Sequence, residues 1–241
     1  VDFYLSRCLL ANIKSVQLQK LPPTDWVHEN RKEFPAFKIG RFWVHGSHIT
    51  HPAPTGLFPL CVDAAQAFGS GTHATTKGCL LAIQNASRSK RHIRRILDLG
   101  CGSGILSMAA KSLNPSAAVM AADYDKISVE TTRQNWHINQ YPKTAFFVLH
   151  SDGFSHERLR GKQKFDLIVA NILAKPLKQF APLIAQNLAS NGRVILSGLL
   201  TSQMRDIRAI YRHHHLFVMQ HIQMDAWSTL LLAPKTNYTK R

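Results

Sequence analysis

A regular alternation of short apolar runs with longer amphipathic stretches begins after Arg91 and is the feature that most constrains the fold of this chain. The apolar runs have the length and composition of buried β-strands, and the stretches between them have the apolar spacing of helices. This order is typical of a parallel sheet covered by helices on both faces. We predict strands at residues 95–99, 117–122, 145–150, 165–171, 193–198, 215–222 and 226–233, and helices at 105–113, 126–139, 176–189 and 202–211.

The part of the chain before residue 60 has a different composition. Prolines recur between Leu21 and Pro59, and each removes a backbone donor and disfavours regular structure. We therefore interpret residues 1–59 as a short N-terminal segment, either a linker or a small separate module. Residues 60–241 are then the α/β domain.

Composition excludes several classes of protein. A chain of 241 residues with 45% hydrophobic residues can bury a large core. Its four cysteines have no C-x-x-C spacing, so we expect neither a metal site nor a disulfide framework. Because no apolar stretch approaches the ~20 residues of a membrane helix and no signal peptide is recognisable, we expect a cytoplasmic protein without membrane attachment. The formal net charge of +16 permits direct nucleic-acid binding but does not require it.

A glycine-rich loop, Gly100-Cys101-Gly102-Ser103-Gly104, connects the first predicted strand of the domain to a helix. Glycines at such a turn allow the backbone to approach a ligand closely. A dinucleotide-binding loop would need its third glycine at position 105, which is Ile. The observed spacing, preceded by Asp98, resembles the loop of methyltransferases that use S-adenosylmethionine. We predict that Asp98, Gly100, Gly102 and Gly104 bind this cofactor.

Acidic residues follow the next two predicted strands. Asp123 lies 23 residues after Gly100, where a carboxylate can accept hydrogen bonds from the ribose hydroxyls of a bound nucleoside. Asp125 is the competing candidate, although we expect it to be the N-cap of the following helix. Asp152 follows the third strand, and we predict that it lies near the adenine. A plain turn is an equally good interpretation of Ser151-Asp152-Gly153.

Asn171 ends the fourth predicted strand, at the sheet edge where open α/β folds bind ligands. Amino methyltransferases that act on planar amides or base amines usually carry N-P-P-Y at this place. This chain keeps the Asn but continues with Ile172-Leu173-Ala174, which favours a flexible aliphatic amine as substrate. We predict that Asn171 contacts the cofactor and orients the amine. His73 is a second catalytic candidate, with a hydrogen-bonded loop residue as the alternative.

Four segments together resemble one family. They are Ala67 to Thr76 (A-F-G-S-G-T-H-A-T-T), Asp98 to Gly104, Ala170 to Ala174 and Leu196 to Leu200. The chain resembles the ribosomal protein L11 methyltransferase family (PrmA). The resemblance implies a Rossmann-like, seven-stranded methyltransferase sheet. It also implies methyl transfer from S-adenosylmethionine to lysine side-chain and N-terminal amines of ribosomal protein L11, the expected partner.

The resemblance also assigns residues and leaves alternatives. By position it places cofactor contacts at Thr76, Gly100, Asp123 and Asn171, and it makes residues 1–59 a shortened form of the family's substrate-recognition segment and linker. A nucleic-acid (rRNA) amino methyltransferase is the first alternative, favoured by an isoelectric point of about 10.1 and disfavoured by the missing N-P-P-Y. A ribosome-assembly factor without activity is the second alternative, and the intact glycine loop argues against it.

Overall fold

A small sheet precedes the main one in the computed structural model, which describes residues 35–63, 71, 73–88, 92–160 and 164–235. Its strands are β1 (Phe37–Ile39), β2 (Phe42–His45) and β3 (Phe58–Cys61). Strand β1 pairs with β2 in antiparallel orientation, and β2 pairs with β3 in parallel orientation. The proline-rich region therefore contains regular structure between its prolines.

The main sheet has seven strands in the order β6-β5-β4-β7-β8-β10-β9. Strands β4 to β8 are parallel, and β10 is antiparallel to both of its neighbours. The strand order changes direction between β4 and β7, which creates a crevice beyond the carboxyl ends of the strands. The strands are β4 (Arg95–Leu99), β5 (Ala118–Asp123), β6 (Phe146–His150), β7 (Phe165–Asn171), β8 (Leu188–Leu200), β9 (Leu216–Met224) and β10 (Trp227–Pro234).

Within the described ranges, five helices cover the two faces of this sheet. One buried apolar cluster joins α1 and α2 to one face, and a second joins α4 and α5 to the other. In the part of the chain that the structure describes, no helix is both long and apolar enough to span a membrane. The helices are α1 (Ala74–Ser87), α2 (Ile105–Leu113), α3 (Lys126–Ile138), α4 (Ala174–Asn187) and α5 (Met204–His213), with short 3-10 turns at Glu157–Leu159 and Thr201–Gln203.

The predicted fold class is confirmed: the chain forms an α/β domain with a seven-stranded sheet. The predicted strands at 95–99 and 165–171 have the observed bounds. The strand predicted at 193–198 is only the inner part of β8, which begins at Leu188. Its first residues include Ser190, Asn191 and Gly192, which are typical of turns, so local sequence hides them. Pairing with β7 shifts register along this stretch.

The small sheet packs on the core of the main domain. Phe42, Val44 and Leu60 are fully buried in the same apolar cluster as Leu80 and Ile83 of α1. The predicted boundary between residues 59 and 60 lies inside β3. The division into 1–59 and 60–241 stays a prediction, and residues 1–34 lie outside the described ranges.

The outer edge of β3 is closed by a side chain. The Phe58 amide donates to the Arg41 carbonyl, just before β2, and the Val62 amide donates to the His45 carbonyl of β2. The backbone groups of the alternate residues Pro59 and Cys61 therefore point away from β2. The Cys61 amide donates to Asn139 Oδ1 at 2.8 Å, and Asn139 Nδ2 donates to the Cys61 carbonyl at 2.7 Å. Asn139, just after α3, thus takes the place of a neighbouring strand.

Candidate active site

A cavity of about 830 Å³ opens beyond the carboxyl ends of the central strands. Parallel strands bring their ends to one sheet edge, so residues far apart in sequence meet there. Seven of the nine predicted site residues line this cavity: His73, Thr76, Gly100, Gly102, Asp123, Asp152 and Asn171. Asp98 and Gly104 are not among the residues that line it.

The glycine loop forms one wall of the cavity. Its first residue, Gly100, has φ of +77°, and a Cβ there would lie 2.3 Å from Cγ2 of Ile172. The amides of Gly100 and Cys101 both donate to the carbonyl of Ala122, at 2.8 and 3.1 Å. The loop is therefore attached to the end of β5 and leaves room for the residue that follows Asn171.

Asp98 lies beneath the loop and is fully buried. Its Oδ2 accepts hydrogen bonds from the amide and the hydroxyl of Ser107, at 2.9 and 2.7 Å. Burial raises the pKa of Asp98 to about 6, against the lowering effect of these bonds. Gly104 is the N-cap of α2. Both residues thus hold the start of α2 in place, whereas the sequence predicted direct cofactor contacts for them.

Asp123 and Asp125 have separate roles. The Asp123 carboxylate is buried and accepts hydrogen bonds from the amides of Gly102 (2.9 Å) and Asp125 (3.0 Å). Each oxygen keeps acceptor capacity for a further donor. Asp125 is the N-cap of α3, as predicted. Hydrogen bonds from the Ser128 hydroxyl and the Ile127 amide lower the pKa of Asp125.

Asp152 is exposed at the rim of the cavity. The preceding Ser151 is buried, and its hydroxyl donates to the Gly153 carbonyl at 3.0 Å. The segment is therefore a hydrogen-bonded turn that also borders the cavity, so both interpretations of this segment are compatible with the structure.

Asn171 combines one bonded atom with one orphan. Its Nδ2 donates to the hydroxyl of Thr75 at 3.3 Å, whereas its Oδ1 is buried and has no partner among the described residues. The hydroxyl of Thr76 is also buried and also has no hydrogen-bond partner among the described residues. His73 Nδ1 lies 2.8 Å from the Thr75 hydroxyl, and its ring meets that of Trp227 edge-on with centroids 5.0 Å apart.

Several lining residues were not predicted. Thr75 stands beside a predicted residue, but only the fold shows which of the two hydroxyls meets Asn171. Trp227 reaches the cavity because β10 pairs with β8, and no local sequence signal indicates that pairing. Phe180 lines the floor from α4. Helical periodicity marks such an aromatic only as apolar and does not distinguish core from cavity.

The charge of the cavity is opposite to that of the chain. Three carboxylates line it, those of Asp123, Asp125 and Asp152, and the described lining residues include no Lys or Arg. The whole chain has 30 Lys and Arg against 14 Asp and Glu. An acidic cavity in a basic molecule favours a ligand or substrate that carries positive charge.

Cys101 lies in the glycine loop and lines the cavity, where a cysteine could be taken for a nucleophile. Burial raises its pKa well above the ordinary value, and the Thr132 hydroxyl donates to its sulfur at 3.3 Å. A buried, protonated thiol is a poor nucleophile, so the structure favours a packing role. Within the described ranges no cluster of three His, Cys, Asp or Glu side chains forms a metal site.

The topology and the glycine-loop cavity define a methyltransferase of the Rossmann-like class. The family model described as "Ribosomal protein L11 methyltransferase (PrmA)" matches residues 4–235. A protein named ribosomal protein L11 methyltransferase from Bradyrhizobium diazoefficiens is 40% identical over 209 residues, which cover 86% of this chain and 70% of the relative. The chain belongs to the ribosomal protein L11 methyltransferase family, whose members depend on S-adenosylmethionine.

Further comparisons agree with this membership. A relative of the same name from Chelativorans sp. is 37% identical over 224 residues, 92% of this chain and 75% of the relative. A solved structure described as ribosomal protein L11 methylase from Lactobacillus delbrueckii subsp. bulgaricus superimposes with a TM-score of 0.74 at 25% identity, covering 83% of this chain and 99% of that one. The predicted family is confirmed, and these relatives do not fit the rRNA methyltransferase alternative.

Proposed function

We propose that this protein transfers methyl groups from S-adenosylmethionine to amine nitrogens of ribosomal protein L11, on lysine side chains and at the N-terminus, in the cytoplasm. Family membership and the names of the relatives support the substrate. The acidic lining supports a cationic partner, because a lysine amine arrives as an ammonium ion.

The orphan oxygen of Asn171 is the observation that carries the proposal. A buried carbonyl oxygen without a donor is costly, at about 1–3 kcal/mol, unless a ligand supplies the missing hydrogen bond. An amine N–H is such a donor. The acceptor stands at the carboxyl end of β7, on the wall of the same cavity as the glycine loop. Asn171 therefore suits the orientation of an amine better than proton removal, because an amide does not titrate near neutral pH.

The residues present fit the cofactor. Gly100 leaves no space for a side chain, the buried hydroxyl of Thr76 lacks a partner, and Asp123 is held by two amides. We assign cofactor binding to these three together with Gly102, Asp152 and Asn171. When bound, S-adenosylmethionine supplies a methyl group on a positively charged sulfonium, which carboxylates in the cavity stabilise.

The protein has to align a neutral amine. Loss of water around the amine inside the cavity lowers its pKa and favours the neutral form that attacks. Asn171 Oδ1 then fixes one N–H of the amine, which restricts the direction of its lone pair. Alignment of this kind accounts for a large part of the rate in displacement reactions.

Methylation assays test the proposal directly. Purified ribosomal protein L11, bulk rRNA and DNA are each incubated with the protein and methyl-labelled S-adenosylmethionine, and modified positions in L11 are located by mass spectrometry. We expect label in the protein alone. Label in nucleic acid without label in L11 would refute the proposed substrate.

Substitution of Asn171 tests the role of its amide. We expect Asn171→Ala to lower kcat far more than it lowers cofactor affinity measured by calorimetry, because the lost bond aligns the nucleophile. Asn171→Asp should retain part of the activity, since it keeps an acceptor but adds a charge that favours the ammonium form. Equal losses of kcat and cofactor affinity in Asn171→Ala would place the residue in cofactor binding only.

A further inference from the structure

We propose that Thr75 is a positioning residue: its hydroxyl, oriented by His73, fixes the amide of Asn171 so that Oδ1 rather than Nδ2 faces the substrate amine. The inference rests on the proposed function, because it concerns the geometry of an amine nucleophile. Three hydrogen bonds that link His73, Thr75 and Asn171 carry it, and the direction of each can be determined.

The direction of the first bond is set by the backbone. The amide of Thr75 donates to His73 Nδ1 at 3.3 Å, as part of the N-cap of α1. A backbone N–H can only donate, so Nδ1 of His73 acts as an acceptor and carries no proton in this arrangement. The tautomer at this nitrogen therefore follows from the helix cap.

The direction of the second and third bonds follows from the first. The Thr75 hydroxyl lies 2.8 Å from the same Nδ1, and with no proton on Nδ1 the hydroxyl must donate. A hydroxyl has one proton, so towards Asn171, 3.3 Å away, it can only accept. Asn171 must then present Nδ2 to Thr75, because Oδ1 in that place would face the lone pairs of the hydroxyl.

Burial makes this orientation persistent. Thr75 is 1% exposed, and the Asn171 Oδ1 atom is buried without a partner among the described residues. Little water is available to compensate a reversed amide. His73, Thr75 and Asn171 are therefore joined by a chain of hydrogen bonds, here called the relay. Through it the geometry of the α1 cap fixes the orientation of the side chain at the end of β7.

The chemistry requires this orientation. A carbonyl oxygen accepts an N–H of the amine and leaves the nitrogen lone pair available to attack the methyl group. An amide NH₂ in the same place would donate to that lone pair and occupy the electrons needed for the new C–N bond. Thr75 thus decides whether Asn171 assists the nucleophile or blocks it.

Two substitutions at Thr75 distinguish the effect of its hydroxyl group from the effect of its side-chain shape. Thr75→Val keeps the branched shape and the backbone amide but removes the hydroxyl, and we expect its kcat on ribosomal protein L11 to fall about 10- to 100-fold, as for misaligned reactants. Thr75→Ser keeps the hydroxyl and should retain most of the activity. In Thr75→Val the dissociation constant of S-adenosylmethionine should change far less than kcat, since the proposed effect is on the amine, although Asn171 is also assigned to the cofactor site. Thr131→Val is the matched control, since its hydroxyl bonds the Ile127 carbonyl outside the cavity.

A double-mutant cycle tests whether Thr75 acts through Asn171. If it does, Thr75→Val added to Asn171→Ala lowers kcat no further. A purely structural role of Thr75 would instead multiply the two losses and lower the melting temperature of both Thr75 variants. Multiplied losses, or a Thr75→Val variant as active as the wild type, would overturn the relay.

A measurement on the wild-type protein remains informative even when Thr75→Val does not fold. In a nuclear magnetic resonance spectrum, one Nδ2 proton of Asn171 should exchange with solvent at least 10-fold more slowly than the Nε2 protons of Gln134, whose amide donates to Glu130 on the exposed face of α3. Equal exchange would overturn the relay. Failure of the wild type to methylate L11 would instead refute the proposed function, which the exchange experiment does not depend on.

Discussion

Asp123 and Asp125 are two residues apart in the sequence, but their carboxylates have different roles in the structure. Asp123 accepts backbone amides and faces the cavity, whereas Asp125 caps a helix. Sequence left the two as competitors for the ribose. The structure separates them by their hydrogen-bond partners, and binding measurements can check the separation.

We expect Asp123→Ala to weaken S-adenosylmethionine binding about 10- to 100-fold, because ribose hydroxyls left unpaired in a partly buried site cost about 1–3 kcal/mol. Asp125→Ala is the control. It should lower stability by about 1 kcal/mol through loss of the N-cap and leave affinity nearly unchanged. Calorimetry of both variants decides, and a larger loss of affinity in Asp125→Ala would exchange the two roles.

The buried carboxyl of Asp98 makes stability depend on pH. Burial raises its pKa from 3.8 to about 6, so between roughly pH 4 and pH 6 the folded state binds more protons than the unfolded state. The contribution of Asp98 to stability is therefore lost as pH rises through this window. We expect the free energy of unfolding of Asp98→Asn, relative to that of the wild type, to increase from pH 4 to pH 6. Urea unfolding at several pH values measures it, and a constant difference contradicts the assignment.

Secondary-structure elements differ in how far the sequence predicts them. Strands β4 and β7 have the predicted bounds because they are short, mainly apolar runs whose inner residues are buried on both faces of the sheet. The small sheet was not predicted, because its strands of three or four residues are separated by proline-containing segments and depend on tertiary contacts. Motif spacing located the glycine loop and Asn171. It could not locate Thr75 or Trp227, whose places depend on packing between distant elements.

Strand β8 passes close to Ile172, the residue after Asn171, at Gly198. This glycine has φ of +81°, and a Cβ there would lie 2.3 Å from the Ile172 carbonyl oxygen. Gly198→Ala should therefore displace the backbone beside Asn171 and lower kcat as well as stability, by more than the ~1–2 kcal/mol of a left-handed alanine. Gly56→Ala is the control, with the same φ and open space around its Cβ position. Equal destabilisation of the two variants in thermal unfolding would contradict the steric argument.

Asn139 joins the small sheet to α3 through hydrogen bonds to Cys61, so its substitution should destabilise strand β3 in particular. In Asn139→Ala the outward amide of Cys61 loses its acceptor, so we expect a loss of about 1–3 kcal/mol and faster hydrogen exchange at Cys61. Asn187→Ala is a matched control, because Asn187 Nδ2 bonds only the Leu183 carbonyl in its own helix. Unchanged exchange at Cys61 would show that the Asn139 bond does not hold the strand.

At the scale of the whole molecule, two sheets share one apolar core. Leu60 of β3 is fully buried in the cluster that contains Ile83, Ile105 and Met108. A shared core couples the unfolding of its parts, so the described ranges should unfold as one cooperative unit. The boundary predicted at residue 60 would then separate sequences of different composition rather than independent folding units.

We expect Leu60→Ala to lower the free energy of unfolding by about 2–5 kcal/mol, as for other buried leucines. Denaturant unfolding is followed by fluorescence in variants that keep Trp43 of β2 or Trp136 of α3. Both probes should report one midpoint, shifted equally by Leu60→Ala. Separate midpoints would show that the small sheet is an independent module.

The closed edge of β3 has a consequence for encounters between copies of this chain. An exposed strand edge is a template for pairing with another chain, and natural proteins protect such edges. Here Pro59 offers no outward amide, and the outward groups of Cys61 are occupied by Asn139. A fourth strand from another molecule finds no backbone donor along this edge. The proline and the asparagine thus protect the β3 edge of the small sheet from pairing with a strand of another molecule.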